Sequence, residues 1–334
     1  MRINRETLLR IARDTVSQRA RRDRSLLSAY LCGSLLGDDY LLGGTADIDL
    51  VFVHIDTPPQ EREIVRLTDE VHLDIAHYAQ KDFHQPRKLR THPWLGPTIY
   101  TCQVLYDPQH FMDFVQASVR GQFERAEFVL ARARTQVEHA RQIWMAFDRQ
   151  TPAQPGPSEL GGYLRAVNHA ANAVASLSGP PVADRRLLLE FPRRAQSVGR
   201  PGLYPGLLGL LGAPHVDGVA LRGWLEDWQV SLEIAAQADP LARLHPARLA
   251  YYQRALQALL EGSEPMAALW LLLRTWTEAA SLLPPENASR LVWGEAVQQL
   301  NLGGPEFTGR VQALDAYLDL VEETLEDWAR LAGI

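Results

Sequence analysis

Two aspartates interrupt a run that is otherwise built for a β-strand, Asp47-Ile48-Asp49-Leu50-Val51-Phe52-Val53-His54. Asp is disfavoured in strands, whereas Ile, Val and Phe are enriched there. Side chains alternate across a strand, so Asp47 and Asp49 project from one face and Ile48, Leu50 and Phe52 from the other. Two carboxylates held this way repel each other, and a divalent cation between them relieves the repulsion. Oxygen-only ligands favour Mg²⁺ or Mn²⁺. A third carboxylate, Asp74, falls in a second strand candidate, residues 71–78. There Val71, Leu73 and Ile75 share one face, and His72, Asp74 and Ala76 share the other. Three carboxylates from neighbouring strands form the ligand set that two-metal phosphoryl-group chemistry needs.

Upstream, the apolar run 26–32 ends in Gly33-Ser34, a strand running into a turn. Glycine lets a phosphate approach the backbone closely. The N–H groups of the turn and the Ser34 hydroxyl are donors for phosphate oxygens. The segment is not a P-loop: no G-x-x-x-x-G-K-[ST] occurs, and the nearest lysine is Lys81. Residues 35–46, with Gly37, Asp38, Asp39, Gly43 and Gly44, have the composition of a loop.

An apolar strand, Gly33-Ser34, the twelve-residue spacer 35–46 and Asp47-x-Asp49 resemble the nucleotidyltransferase superfamily of DNA polymerase β, and within it the aminoglycoside nucleotidyltransferase-like branch. Asp74 stands in the place of that family's third carboxylate. The stretch from His92-Pro93-Trp94 to Tyr106-Asp107-Pro108 is similar to the end of its catalytic domain. The resemblance spans roughly residues 20–115, and its sharp motif only 30–51. It implies that Asp47, Asp49 and Asp74 are catalytic metal ligands, Asp74 alternatively being the base, and that Gly33 and Ser34 contact the nucleotide. It also implies transfer of NMP, AMP from ATP foremost, to a hydroxyl of a small, aminoglycoside-like acceptor, with release of pyrophosphate. A homodimer is compatible with the resemblance. Two other readings stay open: nucleotidylation of a protein or tRNA acceptor, as in toxin–antitoxin systems, and an idle nucleotide-sensing module.

The chain has 334 residues, long for one core and sufficient for two domains. Helical periodicity is expected over 5–20, with Leu8, Ile11, Ala12 and Val16 on one stripe, and again over 122–147. After the Pro/Gly-rich linker 151–157, further helical patterns cover 158–178, 184–198, 220–237, 246–261, 264–282, 287–300 and 305–332. Residues 199–214, rich in Gly, Pro and Leu, read as irregular. The fold class expected is α+β: a nucleotidyltransferase domain over 1–115, a mixed sheet with flanking helices, then an all-helical substrate-binding domain over 116–334. A formal charge of −6 argues against wrapping extended nucleic acid. Two cysteines, Cys32 and Cys102, make no disulfide framework, and the charged N-terminal stretch has no apolar core of a signal peptide. A soluble, cytoplasmic protein without membrane association is expected.

Other residues weigh less. Glu124, Glu127 and Glu138 are candidates for a further base, with Glu127 foremost, against a solvated, ion-paired helix face. His72 and His77 lie on opposite strand faces and read as ordinary sheet histidines, and Cys32 as an inert core thiol. Tyr163, Arg165, Asn168, His169 and Asn172 fall on one helix and could line a cleft or a surface. Trp224, Trp228, Trp270, Trp276 and Trp293 read as core. Arg87, Lys88 and Arg90 form a basic cluster for a triphosphate or for solvent.

Overall fold

The computed structural model describes residues 3–238 and 243–334. It is an α+β structure with one five-stranded mixed sheet and many helices. The chain divides into two compact units, Met1–Phe128 and Val129–Ile334.

In the first unit, α1 (Arg5–Arg22) precedes β1 (Leu26–Cys32), β2 (Ala46–His54), β3 (Arg62–Arg66) and β4 (Val71–Ala79). Then follow α2 (Leu95–Thr101), β5 (Gln103–Tyr106) and α3 (Phe111–Arg120). The sheet order is β3-β4-β2-β1-β5. β2 and β4 run parallel, and the other neighbours are antiparallel. Helices cover both faces. Leu8, Ala12 and Val16 of α1 pack with Ala29, Leu31, Ile48, Leu50, Leu73 and Ile75. On the other face, Leu95, Ile99, Met112, Val115 and Val119 pack with Tyr30, Val51 and Val53. β1 is therefore buried along its whole length, which is why LLSAYLC reads as a continuous apolar run instead of an alternation.

The helices and strands expected over 5–20, 26–32, 47–54 and 71–78 are present, within two residues at each end. β3, β5, α2 and α3 were not resolved by pattern. β3 follows the Pro58-Pro59 break, carries Arg62, Glu63 and Arg66, and lies at a sheet edge, where charge guards against edge-to-edge pairing and masks the β signal. The first unit continues past residue 115. Met112, Val115, Val119 and Phe123 all belong to its core, so a division at 115/116 would cut α3.

In the second unit α4 (Ala126–Arg149), which carries the chain across the division, is followed by α5 (Pro157–Ala175), α6 (Leu187–Ser197), α7 (Leu203–Leu210), α8 (Gly218–Gly223) and α9 (Leu225–Ala238). Then come α10 (Leu249–Glu261), α11 (Ala268–Leu282), α12 (Ala288–Gln299) and α13 (Glu306–Ala332). Residues 203–210 are helical, against the irregular segment expected there. Leu203, Leu207 and Leu210 recur at helical spacing on a buried face, and Gly206 admits the ring of Tyr317. Trp224, Trp228, Trp270, Trp276 and Trp293 are core, as expected. Trp228 donates to Thr275 Oγ1 at 2.9 Å, Trp276 to Ser231 Oγ at 2.8 Å and Trp293 to Thr277 Oγ1 at 3.2 Å. No helix among the described residues is long and apolar enough to cross a membrane.

On the α1 face of the sheet, His54 Nε2 and His77 Nδ1 share a hydrogen bond of 2.9 Å. Ser25 Oγ lies 3.1 Å from His54 Nδ1, with Asp23 beyond it, and Glu63, itself paired with Arg19, lies near His77 Nε2. Burial lowers the pKa of both imidazoles, and for His77 the neighbouring His54 adds to it. A histidine whose folded pKa lies below its unfolded value stabilises fully above about pH 6.5, and that contribution is lost as pH falls through the folded pKa. Melting temperatures measured from pH 8 to 5 should therefore fall toward acid, and His77→Gln should flatten the decline. Parallel curves for the two proteins would contradict this assignment.

Candidate metal centre

The parallel register of β2 and β4 pairs Asp49 with Asp74, and the antiparallel register of β1 and β2 pairs Cys32 with Asp49. Asp47 and Asp49 are half-buried and Asp74 is only 3% exposed. One carboxylate oxygen of each lies within 4.8 Å of the others, a group able to hold a metal ion. At an effective dielectric of about 20, two ionised groups at that spacing repel by roughly 3 kcal/mol. Oxygen donors alone, at three positions on adjacent strands, suit a hard divalent ion of the Mg²⁺ or Mn²⁺ kind.

The start of β2 is set by a tight turn. Gly43 and Gly44 both adopt positive φ, 61° and 70°, between Leu42 and Thr45, whose backbones exchange hydrogen bonds of 3.3 and 3.2 Å. Consecutive left-handed residues form the turn that matches strand twist, and they are why two glycines stand there. Ala46 N–H then donates to Glu70 O at 3.0 Å, fixing the register against β4.

Gly33 closes the other side. Its φ of 77° and ψ of −163° belong to a region open essentially to glycine alone. A Cβ built there would lie 1.9 Å from Asp49 Oδ2, so the carboxylate fills the space a side chain would need. Gly33 is itself exposed to solvent. From Ser34 the chain makes one 3₁₀ turn, Ser34–Leu36, held by Arg5 Nη2 donating to Leu36 O at 2.8 Å. The leading N–H groups of such a turn have no acceptor within it. The Ser34 hydroxyl is sealed from solvent and has no hydrogen-bond partner among the described residues. Cys32 is buried beneath the cluster, its Sγ 3.7 Å from Asp49 O, and burial followed by the Asp49 charge pushes its pKa well up. It is a packed, protonated thiol.

Sequence patterning did not find Arg62. From β3 its Nε donates to Asp74 Oδ1 at 2.5 Å and its Nη2 to Asp74 Oδ2 at 2.7 Å, a bidentate pair. The signal was present in the hairpin Thr68-Asp69-Glu70 between 62–66 and 71–79, which puts Arg62 on the Asp74 face.

Several of the lesser candidates are engaged in hydrogen bonds within the protein. Arg90 is engaged by Ser118 O and by Gln122 Oε1, 3.0 Å away, and lies over the Phe128 ring, whereas Arg87 and Lys88 are exposed. Asn172 Nδ2 donates to Asn168 Oδ1 at 2.7 Å and its Oδ1 accepts from Val182 N–H, while Tyr163 donates to Leu210 O. His169 Nδ1 contacts Gln136 Oε1 at 2.5 Å, and burial lowers the pKa of this histidine to about 4. Glu124 accepts from the Tyr100 hydroxyl at 2.5 Å, and Glu127 and Glu138 are exposed.

Gly33→Ala should displace the Asp49 carboxylate and impose backbone strain of about 1–3 kcal/mol. Mn²⁺ titration should show weakened binding and calorimetry a lower melting temperature; unchanged Mn²⁺ affinity would refute the close packing of Gly33 on Asp49. No protein-family model matches the chain, and no curated protein matches its sequence.

Proposed function

We propose that the chain is a metal-dependent nucleotidyltransferase that moves NMP, AMP from ATP foremost, to a hydroxyl of a small-molecule acceptor. The reading rests on one observation: oxygens of Asp47, Asp49 and Asp74 lie within 4.8 Å of one another. The Gly33–Ser34 turn beside them, with its close approach to Asp49, supports it, as does the resemblance of that motif to the polymerase β superfamily. The residues fit a divalent ion, because the donors are hard oxygens on rigid strands and Gly33, lacking a side chain, leaves room for the Asp49 carboxylate.

The bound ions would supply charge neutralisation at the phosphates and acidify the attacking hydroxyl. Asp47 and Asp49, facing one way from β2, would hold them, with Asp74 from β4 as third ligand or as acceptor of the hydroxyl proton. Turn N–H groups after Gly33 would bind the β- and γ-phosphate oxygens. The acceptor oxygen forms its bond to the α-phosphorus as the bond to pyrophosphate breaks. The hydroxyl proton passes to a carboxylate, and pyrophosphate leaves. Rate enhancement then comes from positioning and fixed charge.

Asp49→Asn tests this reading. Incubated with Mg²⁺, α-labelled ATP and a panel of aminoglycoside-like acceptors, the wild-type protein should transfer label to a small molecule. The variant should retain under about 1% of that rate, since losing one group that stabilises the reacting charge costs about 10²-fold or more. Its melting temperature without metal should hold or rise, because one of three mutually repelling charges is gone. Label on a protein or RNA would redirect the acceptor to a macromolecule, and wild-type turnover by the variant would refute the metal assignment.

A further inference from the structure

We infer that Arg62 is a built-in counter-cation, which neutralises Asp74 while no metal is bound and competes with a divalent ion for that carboxylate. The inference rests on the metal-centre reading above and adds how the site is held when no metal is bound.

Asp74 is 3% exposed, so water cannot solvate its charge. An uncompensated carboxylate in such a place is strongly destabilising. Its sheet neighbour Asp49 worsens the problem, facing it across the parallel register. The Arg62 fork answers it with two donors on two oxygens, at 2.5 and 2.7 Å. That is the planar geometry guanidinium and carboxylate share. The two partners differ in freedom. The Arg62 side chain is 47% exposed and sits on β3, an edge strand, so it can turn out into water with its charge hydrated. Asp74 lies between β2 and β3 and cannot leave. Arg62 lies opposite Ala76 and reaches one diagonal step along the face to Asp74, which itself lies opposite Ile64. A guanidinium and a divalent cation on one carboxylate repel each other. Occupancy of one therefore disfavours the other, by an amount that is reciprocal.

The competition is read by Mn²⁺ binding, followed by the loss of the free-ion paramagnetic resonance signal, with no nucleotide present. Arg62→Gln should bind Mn²⁺ more tightly than wild type, on the order of tenfold, within the usual range for coupled sites. The gain should vanish when Asp74→Asn is added. In chelator, Arg62→Gln should melt at a lower temperature than wild type, and saturating Mn²⁺ should narrow the gap, because ligand bound to the folded state stabilises it. Arg62→Lys, which keeps the charge without the fork, should fall between the two and guards against a folding defect in the glutamine variant. Unchanged or weaker Mn²⁺ binding by Arg62→Gln, with wild type binding normally, overturns the competition and makes Arg62 a support for the ligand. If neither wild type nor any Arg62 variant binds Mn²⁺ at millimolar concentration, the metal-centre reading itself fails.

Discussion

The first unit is organised around a charge problem. Three carboxylates meet where strands β2 and β4 run side by side, two half-buried and one sealed. Such a cluster persists only if positive charge is supplied, and Arg62 supplies it to Asp74. A folded domain that merely needed stability would replace these groups with apolar ones. Three carboxylates brought together beside two apolar layers are the feature that the proposed metal site would explain.

The surrounding fold makes the cluster rigid. The Gly43-Gly44 turn decides where β2 begins, Ala46 locks that strand to the segment before β4, and the two hydrophobic layers clamp the sheet from both faces. Metal ligands carried on central strands are held more closely than ligands on loops. Gly33 adds a steric condition: it is the one residue type that leaves room for Asp49 to point where it does. The Gly33–Ser34 turn and the carboxylate cluster are thus one construction, joined by a contact between a backbone and a side chain.

Much of this was legible in the sequence because the relevant signals are local. Alternation in 47–54 and 71–78 put the three aspartates on their strand faces, and the Gly-Ser turn marked the end of β1. What the sequence concealed depends on pairing at a distance. Arg62 looks like one charge among several after Pro58-Pro59, and only the hairpin with β4 turns it toward Asp74. β5 is four residues long and has no periodicity to count. α7 hides among glycines that lower helix propensity but admit Tyr317, so packing overrides composition. Asn168 and Asn172, and His77 with His54, are occupied with each other or with the backbone, although Asn168, Asn172 and His77 resemble ligand-binding residues in a linear reading.

The central claim is that Asp47, Asp49 and Asp74 together chelate a divalent ion beside Gly33. Its most direct test is the anomalous signal of Mn²⁺ in crystals of the intact chain soaked with the ion. The account predicts a peak about 2.0–2.3 Å from carboxylate oxygens of Asp47, Asp49 and Asp74, close to Gly33, with Arg62 swung away from Asp74. Saturated crystals with no peak at that position, or with Mn²⁺ only on surface carboxylates, would contradict it.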